Sequence, residues 1–193
     1  WLHAYVMQYQ MLPSFIFGFL LTVFPKWTGQ AEIPRNRYVP VGIGLFGGQV
    51  ATLLGAMGLS HGVEIGVLLT LFGWLAGLSA LAPLLWRETG TTWHARSCLA
   101  ALVMGFAGLL AWTAFVLGGS PLWMFASIKI GSFGFLLPVY FTVAHRMFPF
   151  FAASAVPGYQ AWRPMWVLAM FWPLVLLHLG LELVHAYRWL WLA

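Results

Sequence analysis

Six stretches of mostly apolar sequence, each long enough to cross a bilayer and separated by short breaks, leave this chain few folds to choose from. A spanning helix needs roughly 20 such residues, and in lipid only helices and closed barrels satisfy every backbone group. The stretches cover about 4–24, 41–60, 63–86, 98–118, 122–149 and 164–190. Their length predicts an all-α, polytopic transmembrane helical bundle of about six spans, forming a single domain over residues 1–193.

Composition supports the same solvent. Hydrophobic residues make up 62% of the chain and charged residues 7%, with no aspartate. A soluble domain carries about a quarter charged residues, so lipid is expected to cover much of this surface. Twelve tryptophans suit the two membrane interfaces. The net charge of +5 does not predict a nucleic-acid partner, because the nine cations form no basic stripe. A single cysteine, Cys98, excludes an internal disulfide framework and any paired-cysteine metal motif.

The breaks have loop chemistry. Pro25 to Arg37, Ser60-His61-Gly62, Arg87-Glu88-Thr89-Gly90, Gly118-Gly119-Ser120-Pro121 and Ala155-Val156-Pro157-Gly158 each interrupt the apolar pattern. Alternate breaks hold Lys26, Arg35, Arg37, Arg87, Arg96, Arg146 and Arg163, whereas the opposite side has only Arg188. By the positive-inside rule the basic loops are expected in the cytoplasm and both chain ends in the periplasm. Gly44-x3-Gly48, Gly58-x3-Gly62 and Gly73-x3-Gly77 predict faces for close helix packing.

An ionisable side chain at membrane depth is costly and therefore a candidate for function. Lys129 lies about 12 Å into the fifth stretch at 1.5 Å per residue, with Glu64 and Glu182 as its available charge partners. The sixth stretch carries His178, Glu182 and His185 at offsets that share one helical face. His3 and His61 are expected at the same end, so that these histidines and glutamates converge on a haem or copper site. The alternative is that His3, His61 and His185 are simply interfacial residues in contact with water, and that Lys129 forms a structural ion pair or snorkels to the surface. The opposite end collects His94, His145, Arg146 and Arg163. Arg146 serves as a topology anchor or as a partner for a haem propionate. Met7, Met11, Met104, Met124 and Met147 offer soft sulfur but are ordinary core residues too.

Two segments resemble a known family. Phe17-Gly18-Phe19-Leu20-Leu21-Thr22-Val23-Phe24-Pro25-Lys26-Trp27-Thr28-Gly29 is similar to the GFLLTA-x-x-NWTG signature of the NnrS family. Ala144-His145-Arg146-Met147-Phe148-Pro149-Phe150-Phe151 resembles its His-Arg-x-Ile-Pro-Phe-Phe segment. Upstream, His3-Ala4-Tyr5-Val6-Met7 stands where that family has His-Ala-His-Glu-Met, with Tyr5 and Val6 departing from the pattern. The resemblance implies a haem- and copper-containing protein of the bacterial inner membrane, linked to nitric oxide and nitrosative stress. It carries over His3 and His145 as candidate ligands. Family members have roughly twice as many spans, so the chain is expected to be an N-terminal half or a shortened, divergent member.

The expected cofactors are thus haem b and copper. His3, His145, His178, His185 and Arg146 are the candidate cofactor contacts; His61 and Glu182 are candidate metal ligands, with Lys129 as a charge partner. Expected partners are the lipid bilayer, nitric oxide as a diatomic ligand, and other membrane subunits. Two alternatives remain: a cofactor-free accessory subunit of a larger membrane complex, and a proton-coupled transporter using Lys129 and Glu182.

Overall fold

Apolar sequence of this length satisfies its backbone by coiling, and the computed structural model, which describes residues 1–193, contains six long helices and no strand. They are α1 (Leu2–Thr28), α2 (Arg35–Ala56), α3 (Gly62–Trp86), α4 (Trp93–Val116), α5 (Pro121–Ala155) and α6 (Met165–Leu183), with mean hydropathy from 1.4 to 2.1. A short 3-10 turn, Tyr187–Leu192, follows.

Helix ends differ from the hydropathy pattern in an instructive way. α2 begins at Arg35 rather than 41 and α4 at Trp93 rather than 98, because interfacial polar residues continue a helix at no cost in lipid. α6 does the reverse and stops at Leu183, short of the expected 190. His185 adopts a left-handed φ of 57°. The amide of Ala186 then bonds the Leu181 carbonyl at 2.8 Å, and that of His185 bonds Glu182 at 3.1 Å. This Schellman ending, usually made by glycine, closes the helix. Gly29 closes α1 in the same way, with the Gln30 amide on the Pro25 carbonyl at 2.8 Å.

The helices run antiparallel in sequence. α2 and α3 are the tightest pair, since glycines let their backbones touch. A Cβ on Gly44 would meet the Leu69 carbonyl at 2.8 Å and the backbone of Gly73, and one on Gly48 would meet the Gly66 carbonyl at 2.9 Å. Gly77 instead receives the Phe17 ring of α1. Gly58 is a correction to the sequence reading: with φ of 106° it lies in the turn after α2, not on a helix face.

Two π-helical segments, Val6–Met11 in α1 and Ile130–Leu136 in α5, interrupt the regular coil. Such bulges shift the side chains that follow and often occur at functional sites. The two segments are bonded to each other. Gln8 Nε2 donates to Ser132 Oγ at 2.7 Å, and the Tyr9 hydroxyl donates to the Ser127 carbonyl at 2.6 Å. Nearby, Gln10 Nε2 lies 2.8 Å from Thr52 Oγ1 and 3.0 Å from Thr70 Oγ1, which ties α1 to the α2–α3 pair in the buried interior. Around these bonds pack the buried rings of Tyr5, Tyr9, Phe17, Trp74, Trp112 and Phe135. α6 lies outside this core and is the least buried of the six helices.

Candidate functional site

The bundle sorts its polar residues to two ends. At the end bearing the basic loops, α4 opens with His94 and α5 carries His145 near its close. His94 Nε2 and His145 Nδ1 are 3.0 Å apart. His145 Nε2 lies 3.2 Å from the Pro164 carbonyl that precedes α6. A carbonyl only accepts, so Nε2 of His145 carries a proton, its Nδ1 is the acceptor, and His94 Nε2 is the donor. Three elements therefore meet on one imidazole pair.

One turn deeper, Ser97 Oγ bonds Thr142 Oγ1 at 2.7 Å and receives the Trp172 indole N–H at 2.7 Å. Phe141 and Phe171 stack in parallel at 4.1 Å. These contacts fix α4, α5 and α6 at the level of the imidazoles. Arg146 places its guanidinium 4.6 Å from the centre of the Trp27 ring, a cation–π contact that brings in α1. The Arg163 Nε is buried without a partner.

At the other end, Lys129 Nζ lies 2.9 Å from Glu182 Oε2, and His178 Nε2 is 3.8 Å from Glu182 Oε1. Of the two carboxylates offered to Lys129 by the sequence, the structure selects Glu182, because α5 and α6 are neighbours. Glu182 is 8% exposed and Lys129 26%. The lysine also lies 5.5 Å from the centre of the Phe125 ring.

The expected convergence of histidines at this end does not occur. No group of three or more His, Cys, Asp or Glu side chains stands close enough to hold a metal ion. His61 is 80% exposed beside Glu64 in the α2–α3 turn, at 3.9 Å. His178 packs on Phe133 at 4.4 Å. His185, beyond the end of α6, stacks on Phe125 at 4.7 Å and does not share a helical face with His178 and Glu182. His3 is exposed in the first turn of α1. The cause is topological, since helix ends at one level of a bundle need not be adjacent.

His3 and His145 also lie at opposite ends, and the 24 residues from His3 to Trp27 span about 36 Å of helix. No one centre uses both. Tyr5, where the resemblance has a second histidine, is buried, stacked on Trp112 at 4.8 Å, and gives its hydroxyl to Thr70 at 3.3 Å. That position serves packing. By contrast, the segments Phe17–Gly29 and Ala144–Phe151 are brought together through Trp27 and Arg146.

The family model described as NnrS protein matches residues 1–193, the whole of the chain. The chain belongs to the NnrS family. No curated protein and no solved structure matches it. As an NnrS-family membrane protein, it has its two family-like segments meeting at the same end as the His94–His145 pair. Sequence reading grouped His94 with His145 but did not assign it a ligand role. The signal was there, in a histidine opening an apolar helix within an otherwise basic end.

Proposed function

We propose that this NnrS-family chain acts in nitric oxide metabolism or resistance to nitrosative stress at the bacterial inner membrane, with copper held by His94 and His145. The observation that carries the metal assignment is the 3.0 Å approach of the two imidazole nitrogens. Imidazole suits copper, and a ligating histidine characteristically gives its other N–H to a carbonyl or carboxylate, as His145 gives to Pro164. A metal at this point would take the place of the shared proton between the rings, with His94 carrying its N–H on Nδ1 instead. Copper held by His94 and His145 would supply one-electron chemistry. The residues of this chain orient the rings through Pro164, flank His145 with the Phe141 ring, and add the positive field of Arg146 and Arg163.

Haem b fits the donors less well. His178 is packed against Phe133, and His3 and His185 lie at the far end from His145. Arg146, read as a propionate partner, already faces Trp27. Haem therefore rests on the family resemblance alone, as does nitric oxide.

Metal analysis of the purified chain tests the reading. Copper near one per chain is expected, lost in His94→Ala and in His145→Ala and kept in His178→Ala. Equal copper content in all four proteins would sink the assignment, and a Soret band in the absorption spectrum would restore haem. A second reading, proton-coupled transport, is favoured by one observation, the membrane-embedded Lys129–Glu182 pair. Substrate flux abolished by Glu182→Gln in copper-free vesicles would decide for it.

A further inference from the structure

Between α1 and α2, at the end bearing the basic loops, the bundle surface opens into a groove of about 400 Å³. Two absent side chains make it. A Cβ on Gly18 would meet nothing within 4 Å, and one on Gly42 would touch only the Phe46 ring, at 4.0 Å. Phe17, Leu21, Leu45 and Phe46 supply apolar walls. Two of the three hydroxyls in the lining are turned back onto their own helix, Ser14 Oγ on the Gln10 carbonyl and Thr22 Oγ1 on the Phe19 carbonyl, both at 2.7 Å, and the third belongs to Tyr38 in the first turn of α2. With the Ser14 and Thr22 hydroxyls satisfied, the walls between those two residues are mainly apolar.

Its mouth is not. Lys26 and Glu32 both border it and both are exposed. They do not neutralise each other, since the ion pairs of the molecule are His61–Glu64, Lys129–Glu182 and His178–Glu182. From Lys26 to Ser14 the groove follows twelve residues of α1, about 18 Å of helix. One leaflet of hydrocarbon is roughly 15 Å deep. An acyl chain hanging from an interfacial headgroup matches that length.

We propose that this groove holds an acyl chain of a zwitterionic, amine-bearing glycerophospholipid, with its phosphate on Lys26 and its ammonium on Glu32. The opposite charges at the mouth choose among headgroups. A purely anionic lipid would satisfy Lys26 and be repelled by Glu32. A trimethylated ammonium has no N–H to give to the carboxylate, whereas a primary ammonium has three.

The test uses the full chain, stripped of lipid in detergent and offered equal amounts of phosphatidylethanolamine, phosphatidylcholine and phosphatidylglycerol with identical acyl chains. Retained lipid is read by native mass spectrometry. Phosphatidylethanolamine should be kept about three- to fivefold over either competitor, as expected of one exposed charge contact. Glu32→Gln should abolish the preference over phosphatidylglycerol, Lys26→Gln should lower retention of all three, and Gly42→Leu should fill the groove and lower it further. Equal retention of the three lipids, preferential retention of phosphatidylglycerol, or a preference that survives Glu32→Gln would overturn the proposal. Should Gly42→Leu fail to fold, the two exposed charge variants still decide.

Discussion

Lys129 carries one of the few charges placed at membrane depth, and its stability depends on a single partner. Glu182 Oε2 at 2.9 Å offsets a cost that neither residue bears alone in lipid. Lys129→Ala would strand a buried carboxylate with only His178 nearby at 3.8 Å. The expected loss is about 3 kcal/mol, the low end for a broken buried pair because the lysine is partly exposed. Thermal unfolding in detergent should show it, and the double variant Lys129→Met, Glu182→Gln should recover most of the loss. If the single and double variants melt together, the stranded Glu182 carboxylate is not what lowers stability. His145 poses a different problem at this scale. Its two ring nitrogens hold α4 and the α5–α6 connection together, so His145→Ala should weaken packing as well as metal binding. His145→Gln keeps a donor and an acceptor and separates the two effects.

At the scale of elements, the α2–α3 pair shows what small residues achieve when no hydrophobic drive exists between helices. Gly44→Ala places a methyl group where the Gly73 backbone already stands. A cost of about 1–3 kcal/mol is expected, as for overpacking elsewhere. Gly18→Ala, whose Cβ meets nothing within 4 Å, should cost little and provides the control. Comparing the two melting temperatures checks the assignment. The glycine spacing of α2 and α3 was legible in the sequence because small residues four apart must share a face. The π-helical segments were not. Hydropathy measures what a side chain prefers to touch and is blind to whether an amide bonds four or five residues back. Nothing in Val6–Met11 or Ile130–Leu136 signals the change except the glutamine and serine that later bond each other.

For the whole molecule, span number and alternation followed from apolar length, and the structure has the six helices where the breaks put them. The grouping of polar residues was only half legible. The basic-loop end gathers as read, because His94, His145 and Arg146 sit on α4 and α5, which are adjacent. The opposite end does not, because lateral neighbours in a bundle are set by packing that no spacing along the chain encodes. Orientation is open to direct measurement. A reporter enzyme active only in the periplasm should work when fused after Ala193 and fail when inserted in the loop at Gly90. The reverse pattern would contradict the cation count.

The peripheral place of α6 has a consequence for how the protein is made. Ribosomal synthesis runs from the N-terminus, so the segment with Lys129 leaves the ribosome before the segment that carries Glu182, 53 residues further on. During that interval the lysine lacks its counter-charge. Arrival of α6 is therefore also the moment at which the Lys129 charge on α5 gains its partner.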